Sequence, residues 1–390
     1  MKNKRLLEIA KVFLRLGIIG FGGPAAHIAM MEDEIVNRRH WLERSQFLDL
    51  IGATNLIPGP NSTEIAIHVG YLYGGIAGLF LAGFCFILPA VLMTAVLGWI
   101  YIQYGSLPQI APILAGIKPI VIAIIIGALY RLGKKAIFKH DRSPILWTIA
   151  VGVVILLFLG LNQIIALLLG GLLGAVLLLL TAKNKSMGMF VGGLSISSAI
   201  KTASVSATTA VTPSLWQLGL FFLKVGSILF GSGYVLIAFL QEELVDKYVW
   251  LTQQQLLDAI AIGQLTPGPV LSTSTFIGYV ILGTPGAIVA TIGIFLPSFC
   301  FVFALNPLIP KMRNSQITSA FLDAVNTSAL ALMAVVVLRL AQSTIVQPSF
   351  NLIYLTLAVV ASILVIKFKV NPVWLVLGGG LFSWILSVVL

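Results

Sequence analysis

Apolar residues run through this chain in blocks too long for the core of a soluble domain. Gly75–Tyr101, Ile164–Leu180 and Asn371–Leu390 are each almost wholly apolar, and crossing a bilayer core of about 30 Å takes roughly 20 such residues. The blocks predict the same order of elements twice. A first segment (12–30, then 221–239) is interrupted by glycine, and a polar link carrying a tryptophan follows. A short helix ends at Pro-Gly-Pro and another starts just after it. Long spans at 75–101 and 283–305 lead to second spans at 110–130 and 318–338. Final pairs at 145–160 with 164–180, and 350–366 with 371–390, close each round. The expected fold is an all-α polytopic integral membrane protein.

The duplication is legible residue by residue. Shifting the chain by 209 positions lays Phe13–Pro60 over Phe222–Pro269 without a gap, and 20 of the 48 pairs are identical. Phe21-Gly22 falls on Phe230-Gly231, Trp41-Leu42 on Trp250-Leu251, Asp49 on Asp258, and Pro58-Gly59-Pro60 on Pro267-Gly268-Pro269. After a one-residue slip, Leu88-Pro89 meets Leu296-Pro297 and Arg131-Leu132 meets Arg339-Leu340. Composition bias would not align these rare Trp, Pro and charged residues. The expected units are 1–182, a Ser/Thr/Ala-rich linker at 183–213, and 214–390.

Loop charge orients the two units. The loop near Gly105–Gln109 is uncharged and Arg131–Arg142 carries five Lys or Arg, whereas in the second unit Lys311–Arg313 is basic and Ala341–Asn351 uncharged. Basic loops stay in the cytoplasm, so the halves are expected to insert upside-down relative to one another, as in many secondary transporters. That plan needs an odd crossing near the linker, and Met187–Ile200 is the candidate.

Composition narrows the function. Of the 390 residues 58% are hydrophobic and 9% charged, against about 25% charged in soluble domains. The net charge of +11 sits in short clusters between apolar spans, which is an orientation signal and no footprint of nucleic acid. Cys85 and Cys300 lie inside apolar blocks and form no metal or disulfide spacing. Glu64 and His68, four apart, are a weak metal hint, and no metal or cofactor is expected. No Gly-x-x-x-x-Gly-Lys-Ser/Thr loop is present, which argues against ATP-driven transport within the chain.

The chemistry concentrates where helices must break. Proline removes a backbone N–H and clashes with the preceding turn, and in lipid the freed groups need partners inside protein or beside a wet cavity. After Pro58-Gly59-Pro60 come Asn61, Ser62, Thr63 and Glu64, and beyond Pro267-Gly268-Pro269 lie Ser272 and Thr273. These are helix-capping residue types. Helices starting there would turn unpaired N–H groups and a positive dipole end inward, which suits an anion. The alternative is a tight loop between packed helices. Gly22-Gly23 and Gly231-Ser232 interrupt the first segments, where glycine admits a ligand or a neighbouring helix equally well.

Three cations could meet such an anion. Arg15 and Lys224 are equivalent positions before each Phe-Gly, and Lys118 lies inside an apolar span where a charge usually faces a cavity or partner. Snorkelling, or an ion pair between Lys118 and Glu64, are their alternatives. Glu34, Glu64 and Glu243 are candidates for gating or proton coupling, with capping and ion pairing the alternative for the repeated acids.

Phe-Gly-Gly-Pro near the N-terminus, the acidic Glu32-Asp33-Glu34 and the paired Pro-Gly-Pro elements resemble the CHR family of chromate transporters over nearly the whole chain. The resemblance is to the long form with two fused halves, though Phe-Gly-Ser-Gly in the second half departs from the motif. It implies export of chromate across the inner membrane and chromate resistance, with sulfate as the near-isosteric competitor. Broken helices would meet at the midplane around a dianion. The expected partners are chromate or sulfate and membrane lipid, with a homodimer left open. A sulfate carrier, import in place of export, and an intramembrane enzyme acting on a lipid-linked substrate are the other readings. The enzyme would need a nucleophile with a base, or a metal set, and the sequence shows neither.

Overall fold

A computed structural model describes residues 2–105, 107–136, 143–183, 212–230, 233–305, 316–346 and 350–389. The weakly apolar stretch at 187–200, Gly231-Ser232 and the basic loops at 137–142 and 306–315 lie outside them. The described residues form helices and no strand. The first half contains α1 (Lys2–Ile19), α2 (Pro24–Glu32), α3 (Arg44–Thr54), α4 (Asn61–Tyr104), α5 (Ala111–Ala136), α6 (Ser143–Phe158) and α7 (Gln163–Lys183). The second repeats the series as α8 (Leu215–Ile228), α9 (Leu236–Phe239), α10 (Gln253–Leu265), α11 (Thr273–Leu305), α12 (Gln316–Ala341), α13 (Leu352–Ile366) and α14 (Pro372–Val389). α4, α5, α7, α11, α12 and α14 are long and apolar enough to cross a membrane.

Neither α4 nor α11 is one straight rod. Gly75 (φ 65°, ψ −155°) and its equivalent Gly283 (φ 64°, ψ −153°) adopt a conformation closed to other residues, and the chain doubles back there. A Cβ on Gly70 would lie 2.5 Å from Ala82 Cβ, whereas a straight helix separates positions 70 and 82 by about 18 Å. Gly278 meets Ala290 in the same way, at 2.7 Å. Each element is thus a short arm (61–74; 273–282) folded against a long one (76–104; 284–305).

The ends of the first four elements meet at one face. The Tyr73 hydroxyl donates to Glu8 Oε2 at 3.0 Å, Trp41 stacks on Tyr73 at 4.1 Å, and Arg39 lies over Trp41. So α1 enters and α2 returns, then α3 enters and the short arm of α4 returns. From Glu8 to Ile19 is about 17 Å of helix, roughly half the bilayer core. The Gly22-Gly23 and Pro58-Gly59-Pro60 breaks therefore sit near the midplane.

The second half points the opposite way. Its corresponding face lies with the far end of the first half: Glu242 accepts from Asn162 Nδ2 (3.0 Å) and the Gln163 N–H (3.1 Å) in the α6–α7 turn. Asp258 accepts from Tyr101 at 2.9 Å, and Tyr101 lies 25 residues, or about 38 Å of helix, along the long arm from Ile76 beside the Gly75 reversal. The halves are inverted.

They are also interlocked. α7 packs on α12 of the other half, where Gly170, Gly171 and Gly174 lie against Ser328, Val325 and Ala324. Symmetrically, α14 packs on α5, with Gly379 against Ile120 and Gly380 against Ile117. Small residues allow this close approach, the usual basis of helix association in lipid. The units expected at 1–182 and 214–390 are sequence repeats, yet each lends its last helices to the other.

Two outcomes follow. Cysteines placed at Gln109 and Lys369, in a chain lacking Cys85 and Cys300, will be labelled by an impermeant maleimide from opposite sides of the membrane. Gly170→Val will lower stability by about 1–3 kcal/mol through overpacking, read as a fall in melting temperature of the detergent-solubilised protein.

Candidate functional site

The two Pro-Gly-Pro breaks are held by a reciprocal pair of backbone bonds across the halves. Gly59 N–H donates to Leu229 O at 2.7 Å, and Gly268 N–H donates to Gly20 O at 2.7 Å. Gly59 and Gly268 are equivalent, as are Gly20 and Leu229. Each break is thus satisfied by the interrupted first segment of the opposite half. Glycine is required at both: Gly59 has φ 144° and Gly268 φ 87°, and a Cβ on Gly59 would strike the Glu64 carboxylate and lie 2.6 Å from Ser298 Oγ. A Cβ on Gly268 would lie 3.0 Å from Ala90 Cβ, and Ala90 is the equivalent of Ser298.

The two surroundings differ chemically. At the first break Ser62, Thr63, Glu64, His68 and Ser298 are all within 1% of full burial. Thr63 Oγ1, both Glu64 oxygens, both His68 ring nitrogens and Ser298 Oγ have no hydrogen-bond partner. His27 bridges Ser62 Oγ (3.3 Å) and Gly20 O (2.8 Å). At the second break Ser272 Oγ is buried and without a partner, as is Gln264 Nε2. The Tyr234 hydroxyl lies 3.3 Å from Gln264 Oε1, 3.8 Å from a Cβ placed on Gly23, and within hydrogen-bonding reach of Arg131. Unsatisfied buried polar groups are few in native proteins, and their concentration at two backbone breaks makes these breaks the candidate site.

Several expected site residues are elsewhere. Lys224 is committed to an ion pair with Glu243 (2.5 Å). Its equivalent Arg15 is exposed on the outer side of α1. Lys118 donates to Gln254 Oε1 at 3.3 Å, toward Asp258 and more than two helical turns from the second break along α10, not to Glu64. Glu34 is held by Arg39 (2.8 Å) and Arg38 (3.7 Å). The hydroxyls do not cap: Pro60 and Pro269 occupy the cap positions, Asn61 donates to Asn55 Oδ1, and Thr273 bonds back to Val270 O at 2.7 Å. Proline leaves no capping side chain, so the first N–H groups stay directed at the break.

Sequence reading missed Ser298, His27, Tyr234, Gln264 and Arg131. Ser298, Tyr234 and His27 carry a signal, because each is polar where its repeat partner (Ala90, Ala25, Leu236) is apolar.

Residues 7–175 and 216–384 each match the family model described as chromate transporter. The chain belongs to the chromate transporter family. It is 33% identical over 364 residues to the chromate transport protein of Cupriavidus metallidurans, covering 93% of this chain and 88% of that one. It is 31% identical over 384 residues to the chromate transport protein of Pseudomonas aeruginosa, covering 96% and 90%. A probable chromate transport protein of Synechococcus elongatus is 31% identical over 344 residues, covering 87% and 86%. No solved structure matches the chain. For this family member the two matched regions coincide with the inverted halves.

The Glu243 side chain is 4% exposed and that of Lys224 41%. Lys224→Met, which strands the buried carboxylate beside partly solvated surroundings, will cost about 1–3 kcal/mol. Adding Glu243→Gln will restore most of the melting temperature, as a structural pair requires.

Proposed function

We propose that this protein moves chromate across the cytoplasmic membrane by exposing the paired breaks alternately to the two sides. The observation that carries the reading is the reciprocal Gly59–Leu229 and Gly268–Gly20 bonding, which joins two inverted halves through broken helices bearing unsatisfied donors. The names of the relatives supply the substrate. Binding would fall to Arg131, Gln264 Nε2, Ser272 and the open backbone at Gly22-Gly23, with the Tyr234 hydroxyl donating to Gln264 Oε1 and orienting that amide. A guanidinium at the exposed edge and neutral donors within the site suit a tetrahedral dianion.

The unsatisfied side chains at both breaks are buried, while Gly22 and Arg131 are exposed at the edge of the site. Inverted halves have an equivalent alternative in which their roles exchange, and the crossed bonds form the barrier that such a movement must shift. Export is the direction favoured by energetics. With the cytoplasm negative, each charge is worth about 2.3 kcal/mol per 100 mV, so expelling a dianion releases roughly 4.6 kcal/mol. Resistance to chromate follows from that direction.

Everted membrane vesicles test the reading. They will accumulate chromate, and excess sulfate will compete. Arg131→Ala will cut accumulation at least about tenfold, as loss of a charged hydrogen-bond donor implies, while Lys118→Ala will leave it within about twofold. Accumulation no greater than in vesicles lacking the protein would remove the proposal.

A further inference from the structure

The repeat makes the two breaks equivalent in backbone, yet only one is free to receive an anion. At the first, Glu64 lies in the opening turn of α4 with its carboxylate folded over Gly59, beside Ser298 Oγ. It is fully buried and neither oxygen has a hydrogen-bond partner. A carboxylate in that place lies at the electropositive end that a helix start offers to an anion, over the turn at Gly59. With the register of the flanking glycines, Gly70 on Gly278 and Gly75 on Gly283, position 64 falls on Ser272 and position 68 on Phe276. The second half therefore carries a hydroxyl and a phenyl ring where the first carries an acid and an imidazole.

This reading rests on the oxyanion transport proposed above. We propose that Glu64 is a built-in anion of the first break, and that the oxyanion lodges at the second break only as Glu64 takes up a proton. The two breaks are joined by the crossed Gly59–Leu229 and Gly268–Gly20 bonds, so a dianion at the second and a carboxylate at the first repel, and the proton removes that repulsion. The side chains on neighbouring elements leave Glu64 as the acid available for this role. His68 is one turn on along the same helix, and His27 of α2 is engaged by Gly20 and Ser62. Cys85 lies on the long arm of α4, and α11 contributes Ser298. Arg15 of α1 is exposed, Asp49 of α3 has a partner of its own, and Asp258 of α10 accepts from Tyr101. The sign follows directly. Anion binding that takes up a proton weakens as pH rises.

The test is proton uptake on binding, measured with purified full-length protein in detergent by titration calorimetry in two buffers of different ionisation enthalpy. Chromate is the probe, at alkaline pH where it carries no proton itself. The wild type will take up about one proton per chromate bound, the linkage expected of a single coupled site. Glu64→Gln will bind with no uptake and with affinity that no longer falls as pH rises, while Glu64→Asp and His68→Phe will keep the uptake. Wild-type binding without proton uptake overturns the role of Glu64 and leaves the transport reading standing. Uptake that survives Glu64→Gln and vanishes in His68→Phe also overturns it, by placing the proton on the imidazole. Absence of chromate binding by the wild type overturns both readings together.

Discussion

Everything in this structure turns on how backbone polar groups freed at the membrane centre find partners. A helix interrupted in lipid exposes N–H and C=O groups that hydrocarbon cannot satisfy, at a cost of several kcal/mol each. Here each Pro-Gly-Pro break hands its glycine N–H to a carbonyl at the break of the opposite half. Neither glycine N–H is satisfied by its own repeat. The two halves are thus bound at the midplane by a requirement of the solvent, before any side chain enters the account.

That requirement explains the local sequence. Proline at positions 58, 60, 267 and 269 stops one helix and opens the next without offering a capping side chain, so the helix starts stay open. Glycine between the prolines admits φ values of 144° and 87° and lets the partner segment close in. Gly75 and Gly283 reverse the chain so that a short arm can return to the face it came from. Only after these backbone decisions do Glu64, Ser298, Ser272, Gln264 and Tyr234 acquire a common neighbourhood.

Much of this was legible in the residues alone. The duplication, the breaks and the inversion all rest on backbone chemistry and loop charge, which write themselves into Pro, Gly and Lys/Arg positions. The side-chain membership of the site was not. Lys118 and Lys224 look alike as lone cations in apolar surroundings, but one leans toward Gln254, 136 residues away, and the other is consumed by Glu243, 19 residues on, and that choice of partner leaves no local trace. Arg131 looks like an ordinary basic anchor at a helix end, and only the packing of α5 against the second half brings it to Tyr234. Ser298 sits inside an apolar run, where its hydroxyl is visible only against Ala90.

The exchange of terminal helices has a further consequence. Because α7 and α14 each complete the other half, a polypeptide holding one repeat would leave bare both a glycine-lined helix face and an unsatisfied midplane break. Such a fragment could not rest as a monomer in the bilayer. It would require a second molecule inserted with the reverse topology, so the fused chain solves a problem of biogenesis: it guarantees one upright and one upside-down copy in every assembled protein.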